Sequence, residues 1–258
     1  MLELNKIYNE DCLEGMKRID SNSIDLTVTS PPYDNLRKYN GYSFEFELIA
    51  KQLFRITKMG GVLVWVVGDQ TIDGSESGTS FKQALYFKEI GFNLHDTMIY
   101  QKRNYVPLTH KRYEQSFEYM FALSKGKPST FNPIMIDCKN AGKVESYGQS
   151  RRSVLDNSQS MRSPTETTYL ATKNKKISPN IFSYSCGSNK NGHPATFPEK
   201  LAEDHILSWS NENDIVFDPF IGGGTTAKMC IKNNRKFLGF DISAEYYEMS
   251  NKMIGESK

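Results

Sequence analysis

Ile215-Val216-Phe217-Asp218-Pro219-Phe220-Ile221-Gly222-Gly223-Gly224-Thr225-Thr226-Ala227 is the stretch on which the reading of the fold turns. A short run of β-formers ends in an acid, a proline stops it, glycines follow, and a helix runs on from Lys228 to Lys232. Strand, glycine-rich turn and helix N-terminus in succession let backbone approach a ligand and turn N–H groups toward an anion. Downstream, Lys236-Phe237-Leu238-Gly239-Phe240-Asp241 reads as a second strand that also ends in an acid. Asp241 stands 19 residues after Gly222, near the spacing of about 20 expected of a carboxylate that binds ribose hydroxyls. A turn and an acid, each closing its own strand, point to a nucleoside ligand. A helix from Ala244 to Ile254 follows.

The other end of the chain carries a matching strand. Ser23 to Val28 alternates apolar and polar residues and runs into Thr29-Ser30-Pro31-Pro32-Tyr33. Two prolines end a strand because neither offers an N–H to the ladder and each restricts the residue before it. The rigid backbone there has carbonyls to accept hydrogen bonds, Ser30 adds a hydroxyl and Tyr33 a flat ring. A planar group bearing an NH2 suits such a place, whereas taken alone the same residues describe only a strand that stops at a proline turn. Ahead of it, Ile7–Asp11 reads as a strand and Cys12–Ile19 as a helix; Asp11, at their junction, can cap the helix or accept from a ligand's amino group.

Between these ends, Phe46–Thr57 is an amphipathic helix closed by Gly60-Gly61, and Val62–Val67 is a strand buried on both faces. Gly68–Ser80 has the composition of a mobile loop. A helix (81–90) and two strands (94–101 and 117–123) follow, so that strands and helices alternate as in a mostly parallel, doubly wound α/β sheet. Glu199–Trp209 is a further helix, in which His205 reads as a partly buried helix residue rather than a ligand.

Composition bounds the rest. At 258 residues with 38% hydrophobic content, one large domain or a domain with an insertion is expected. No apolar run approaches the roughly 20 residues of a membrane span, and the N-terminus lacks a signal-peptide pattern, which suggests a soluble, cytoplasmic protein. Four scattered cysteines and the absence of metal-ligand spacing argue against zinc, a disulfide framework or any metal. The net charge of +2 is unevenly spread: Asp137–Gly192 holds 9 Lys/Arg against 4 Asp/Glu, leaving 23 against 26 elsewhere. Residues 137–192 also lose all periodicity, too long a stretch for an ordinary loop. We therefore expect residues 1–136 and 193–258 to form one domain, with 137–192 a basic, polar insertion suited to a polyanion or simply a solvated loop. Asp34–Tyr42, which includes Arg37, Lys38 and Tyr39, mixes basic and aromatic residues as in contacts with bases and phosphates.

These motifs resemble a family. Asp218-Pro219-Phe220-Ile221-Gly222-Gly223-Gly224-Thr225-Thr226 is similar to the S-adenosylmethionine loop of amino-methylating DNA methyltransferases, and Thr29-Ser30-Pro31-Pro32-Tyr33 to their catalytic motif. His193-Pro194-Ala195-Thr196-Phe197-Pro198 resembles the segment beside the methionine end of that cofactor. The catalytic motif precedes the cofactor loop, the permuted order of the β group, whose target-recognition region lies between the two. Protein-glutamine methyltransferases place an Asn-Pro-Pro-Tyr motif after the loop instead. The resemblance implies a Rossmann-like fold, double-stranded DNA as partner, base flipping, and a homodimer. By that resemblance Ser30, Pro31, Pro32 and Tyr33 are catalytic. The resemblance likewise implies that Asp11, Cys12, Asp218, Pro219, Phe220, Gly222, Gly224, Thr225, Thr226, Asp241, His193 and Phe197 contact S-adenosylmethionine. Arg37, Lys38, Tyr39, Arg151, Arg152, Arg162, Lys173 and Lys175 are expected to contact DNA. Ser30 in the first catalytic position is associated in the family with N4 of cytosine, Asp with N6 of adenine. Phe197 stands where adenine enzymes often have Lys, which removes one partner for the cofactor carboxylate. A catalytically idle DNA-binding module is the alternative of another class.

Overall fold

The computed structural model of the protein describes residues 2–32, 44–105, 111–139, 174–185 and 197–255 in full, and 144–148 and 167–171 by their backbone. One compact unit comprises Met1–Asn132 and Pro179–Lys258. Its main sheet, among the described residues, has eight strands: β1 (Lys6–Asn9), β2 (Ile24–Thr29), β3 (Thr57–Val67), β4 (Asn93–Lys102), β5 (Phe117–Ser124), β6 (Ile181–Tyr184), β7 (Ile215–Asp218) and β8 (Lys236–Asp241). They lie in the order β1-β8-β7-β2-β3-β5-β4-β6. Only β5 runs against its neighbours, β3 and β4; all other pairs are parallel. The mostly parallel α/β sheet expected from the sequence is what forms.

Strand β3 shows why the sheet takes helices on both faces. Side chains alternate along a strand, so Val62, Val64 and Val66 enter one core cluster and Leu63, Trp65 and Val67 another. The first cluster is completed by helices α4 (Glu199–Trp209), α5 (Thr225–Lys232) and α6 (Ala244–Gly255). The second is completed by α1 (Cys12–Met16), α2 (Phe46–Ile56) and α3 (Thr79–Glu89). Each buried Val or Leu contributes about 1.5–3 kcal/mol relative to exposure, and β3 gives three buried side chains to each layer. His205, 2% exposed, belongs to this interior, with Nε2 3.3 Å from Met120 Sδ. Among the described residues, no helix is long and apolar enough to cross a membrane.

Connections leave β2 and β7 in opposite directions. From β2 the chain passes through α2 to β3 on one side; from β7 it passes through α5 to β8 on the other. A right-handed crossover in each case puts α2 and α5 on opposite faces. The neighbours β2 and β7 therefore flank a switch point, where open α/β sheets bind ligands outside the carboxyl ends of their strands.

Local readings differ in four places. Gly60-Gly61 does not close α2 but lies within β3. Thr57 pairs with Ile24 and Val62 with Leu26, so four residues of β3 stand opposite one of β2, a bulge that Gly60 enters at φ 80°. Helix α5 starts at Thr225 rather than Lys228, because Gly224 at φ 87° serves as its N-cap. The stretch read as a mobile loop carries a small ribbon, Thr71–Ile72 against Ser75–Glu76. Buried Asp69 fixes it, accepting from Ser77 Oγ and from the amide and hydroxyl of Ser80. Finally, β6 falls inside the segment 137–192, yet pairs in parallel with β4 as an edge of the main sheet. The second compact unit is Pro133–Ser178; its described ribbons are Met135–Asp137 with Lys175–Ile177 and Val144–Gly148 with Thr167–Ala171.

Gly15 tests how tightly α1 packs on the sheet. A Cβ there would lie 2.4 Å from two ring atoms of fully buried Phe240. Helix propensity alone would make Gly15→Ala stabilising by about 1 kcal/mol; we expect instead a loss of about 1–3 kcal/mol from overpacking, read from urea unfolding midpoints.

Candidate active site

Four strand ends meet on one edge of the sheet. In the pairing of β1 with β8, Asn9 lies opposite Asp241; in that of β8 with β7, Gly239 lies opposite Asp218; β7 then pairs with β2 through Val216–Leu26 and Phe217–Thr27. All four strands run the same way, so Asp11, Asp241, Asp218 and Ser30 all follow or close carboxyl ends. Residues of the two motifs, far apart in sequence, are thereby joined: Thr29 Oγ1 donates to Asp218 Oδ1 at 2.7 Å.

Asp218 is 4% exposed and closes a small network. Its Oδ1 also accepts from the amide of Phe220 at 3.1 Å, and Oδ2 accepts from Thr226 Oγ1 at 2.7 Å. Burial pushes its carboxyl up to about 6, although all three donors favour the ionised form. Pro219 carries the chain out of β7 into the turn. The amide of Ile221 donates to the carbonyl of Phe240, and that of Gly224 to the carbonyl of Ile221. Gly222 at φ 49° and Gly224 at φ 87° occupy left-handed backbone, which glycine enters without steric cost. A Cβ on Gly224 would also lie 3.0 Å from that of Ser250 in α6. No described side chain caps α5, and buried Thr225 and Thr226 form its first turn. Phe220 leans edge-on against Phe44 and Trp65, with centroids 5.7 and 6.4 Å apart.

Asp241 is bound differently. Its Oδ2 accepts from the amide of Gly222 at 2.9 Å and Oδ1 from that of Ser243 at 2.8 Å. Burial raises its carboxyl pKa and the two amides oppose that rise. With one backbone amide on each oxygen, lone pairs remain for hydroxyls of a ligand. Asp11 caps α1, Oδ1 accepting from Leu13 and Glu14 amides at 2.8 and 3.4 Å; its Oδ2 meets no described donor. The alternatives left open by the sequence are thus compatible in one side chain. Cys12 is 7% exposed, and burial, with Asp11 beside it, pushes its thiol up to about 12. It can offer an apolar wall and no nucleophile.

Ser30 is half-buried, Pro31 buried and Pro32 half-buried. Phe197, partly buried, packs on the cluster that α4, α5 and α6 share. Lys175 is exposed on a ribbon of the second unit. Tyr33, Arg37, Lys38, Tyr39, Arg151, Arg152, Arg162, Lys173 and His193 lie outside the described residues. Among the described residues no group of three His, Cys, Asp or Glu side chains is placed to hold a metal. The residue that sequence reasoning left without a role is Thr29. No local signal marks it: the strand alternates apolar and polar residues, and Thr29 takes the next polar place.

Comparison with known proteins gives the family and the fold. The model of the N6/N4 methyltransferase family, described as DNA methylase, matches residues 24–252. The chain belongs to the N6/N4 DNA methylase family. Among curated relatives of this methylase is orphan methyltransferase M.BamHII of Bacillus amyloliquefaciens, 54% identical over 242 residues, 90% of this chain and 89% of that protein. A solved structure of PvuII DNA methyltransferase (cytosine-N4-specific) superposes with a TM-score of 0.69, covering 96% of this chain and 85% of the other; at 22% identity it bears on the fold alone. The M1.HpyAVI–SAM complex is 25% identical, with a TM-score of 0.62 over 96% of this chain and 98% of that one. The methylase thus shares its fold with solved DNA methyltransferases.

The raised carboxyl of Asp218 gives a signed expectation. Its folded value of about 6 exceeds the ordinary 3.8, so the folded state retains a proton that the unfolded chain has lost between those values. This contribution to stability is fully present below about pH 4 and is lost as pH rises through about 6. Asn at position 218 does not titrate. Urea unfolding of wild type and Asp218→Asn at pH 4.5, 5.5, 6.5 and 7.5 should show the difference moving steadily in favour of Asn and levelling above about pH 7.

Proposed function

We propose that the protein transfers a methyl group from S-adenosylmethionine to the exocyclic amino group of a base extruded from double-stranded DNA, with N4 of cytosine as the target. The observation that carries this reading is the hydrogen bond between Thr29 and Asp218, which puts the Ser-Pro-Pro stretch and the glycine turn at one switch point. The residues present suit the cofactor. The turn has glycine backbone where a side chain would be strained, Asp241 keeps acceptor capacity for ribose hydroxyls, Asp11 Oδ2 suits an adenine amino group, and the first turn of α5 suits a carboxylate. Phe220, Pro219, Cys12 and Phe197 supply apolar walls. When bound, S-adenosylmethionine supplies an electrophilic methyl on a sulfonium.

The chain's own residues act on the base. An amino group within the duplex stack is out of reach, so the base must be extruded, and Tyr33 is assigned to stack on it. Ser30 Oγ and the carbonyl of Pro31 accept one N–H each. In the free base the nitrogen lone pair is delocalised into the ring; holding both N–H bonds out of plane directs the lone pair at the methyl. No strong base is required, since the nitrogen sheds its proton after transfer. The gain is in orientation and electrostatics. Arg37, Lys38, Tyr39 and the basic residues from Arg151 to Lys175 are assigned to DNA. The permuted order of motifs, with the target-recognition region between residues 137 and 192, supports a β-group enzyme. N6 of adenine offers the same two donors to the same two acceptors; the preference for cytosine rests on Ser30.

Tritiated methyl transfer to unmethylated plasmid, followed by nucleoside chromatography, tests the reaction and the base together. We expect label in N4-methylcytosine; label in RNA without label in DNA would overturn the reaction, and label in N6-methyladenine the base. Ser30→Ala should lower turnover by about 100-fold with cofactor affinity kept. Asp241→Ala should instead weaken cofactor binding by about 10- to 100-fold, the loss of hydrogen bonds to a charged group. Equal losses of turnover and cofactor affinity for Ser30→Ala would contradict its role.

A further inference from the structure

We propose that Asp218 is a positioning residue for methyl transfer, holding Ser30 in register with the glycine turn through the hydroxyl of Thr29. The inference rests on the roles given above to Ser30 and to the turn. The side chain is buried in the protein: at 4% exposure its carboxylate is taken up by three protein donors. Two of them, Phe220 and Thr226, bracket the glycine turn. The third, Thr29, is the residue bonded to Ser30.

Backbone pairing does not do this work. Between β7 and β2 the pairs end at Phe217 and Thr27. Beyond that point the end of β2 is held on one side by its ladder with β3, where Thr29 lies opposite Trp65. On the other side, toward the turn, the hydroxyl of Thr29 on Asp218 makes the tie. A 2.7 Å bond to a carboxylate is short and directional, and near-attack geometry is lost over shifts of about 1 Å. One buried carboxylate, receiving a donor from each side of the switch point and a third from the turn, thus sets the distance between the group that orients the amine and the loop assigned to the methyl donor.

Single-turnover methyl transfer at saturating enzyme and cofactor, with cofactor affinity measured separately by fluorescence titration, tests this. Thr29→Val keeps the shape and removes the donor; Thr29→Ser keeps the donor. We expect Thr29→Val to slow transfer by about 10- to 100-fold with cofactor affinity within about twofold, and Thr29→Ser to recover most of the rate. Because Thr29 acts through Ser30, adding Thr29→Val to Ser30→Ala should slow transfer by less than about threefold more, a non-additive pair. Thr29→Ala replaces the valine variant if valine lowers the melting temperature below that of the assay. Wild-type rates in Thr29→Val, a loss of cofactor affinity as large as the loss of rate, or full additivity with Ser30→Ala would each overturn the positioning role. An unimpaired Ser30→Ala would overturn instead the reading of the site on which it rests.

Discussion

The parallel pairing of β7 with β2 is the constraint from which the rest of the molecule follows. Phe217 opposite Thr27 and Val216 opposite Leu26 bring residues almost two hundred positions apart into adjacent strands. Because the connections leave these two strands in opposite directions, helices cover both faces and a crevice stays open at their carboxyl ends. The hydrophobic layers on either side of β3 fix that arrangement. They contain few titratable groups, and those present, such as His205 and Cys230, are held neutral by burial.

Within that edge, the three aspartates do different things because their surroundings differ. Asp218 is buried among hydroxyls and one amide and serves the protein's own geometry. Asp241 carries one backbone amide on each oxygen and is left partly open. Asp11 caps a helix with one oxygen, and the other meets no described donor. A carboxylate at the end of a parallel strand is thus no single device; its burial and donors decide whether it faces inward or outward.

Much of this was legible in the sequence wherever the signal was local. The run from Ile215 to Ala227 contains its strand, turn and helix start within thirteen residues, and Asp241 follows at a spacing set by one helix and one strand. What could not be read was non-local or ambiguous. Gly60-Gly61 serves equally as a helix stop or a strand bulge, and only the partner strand, with one residue opposite four, decides between them. The edge strand Ile181–Tyr184 is four residues long in polar surroundings, too short for its alternation to stand out. Asp69 looked like loop composition because its serine partners are also loop residues; only their convergence on one carboxylate makes the turn ordered. The hydroxyl of Thr29 has no pattern at all, since its acceptor lies 189 residues away.

The order of strands in the sheet also has a bearing on biosynthesis. The crevice is walled by segments from residues 6–29 and 215–241, so β1, and the side of β2 that faces β7, must wait for their partners until some two hundred further residues have been made. Closing so long a loop is entropically slow. In the interval the growing chain exposes an unpaired β-edge for β7 on β2, together with the apolar surface beneath it, which is where a chaperone or a misfolding contact would find it. The crevice therefore takes its shape only once the strand that ends at Asp241 has been made.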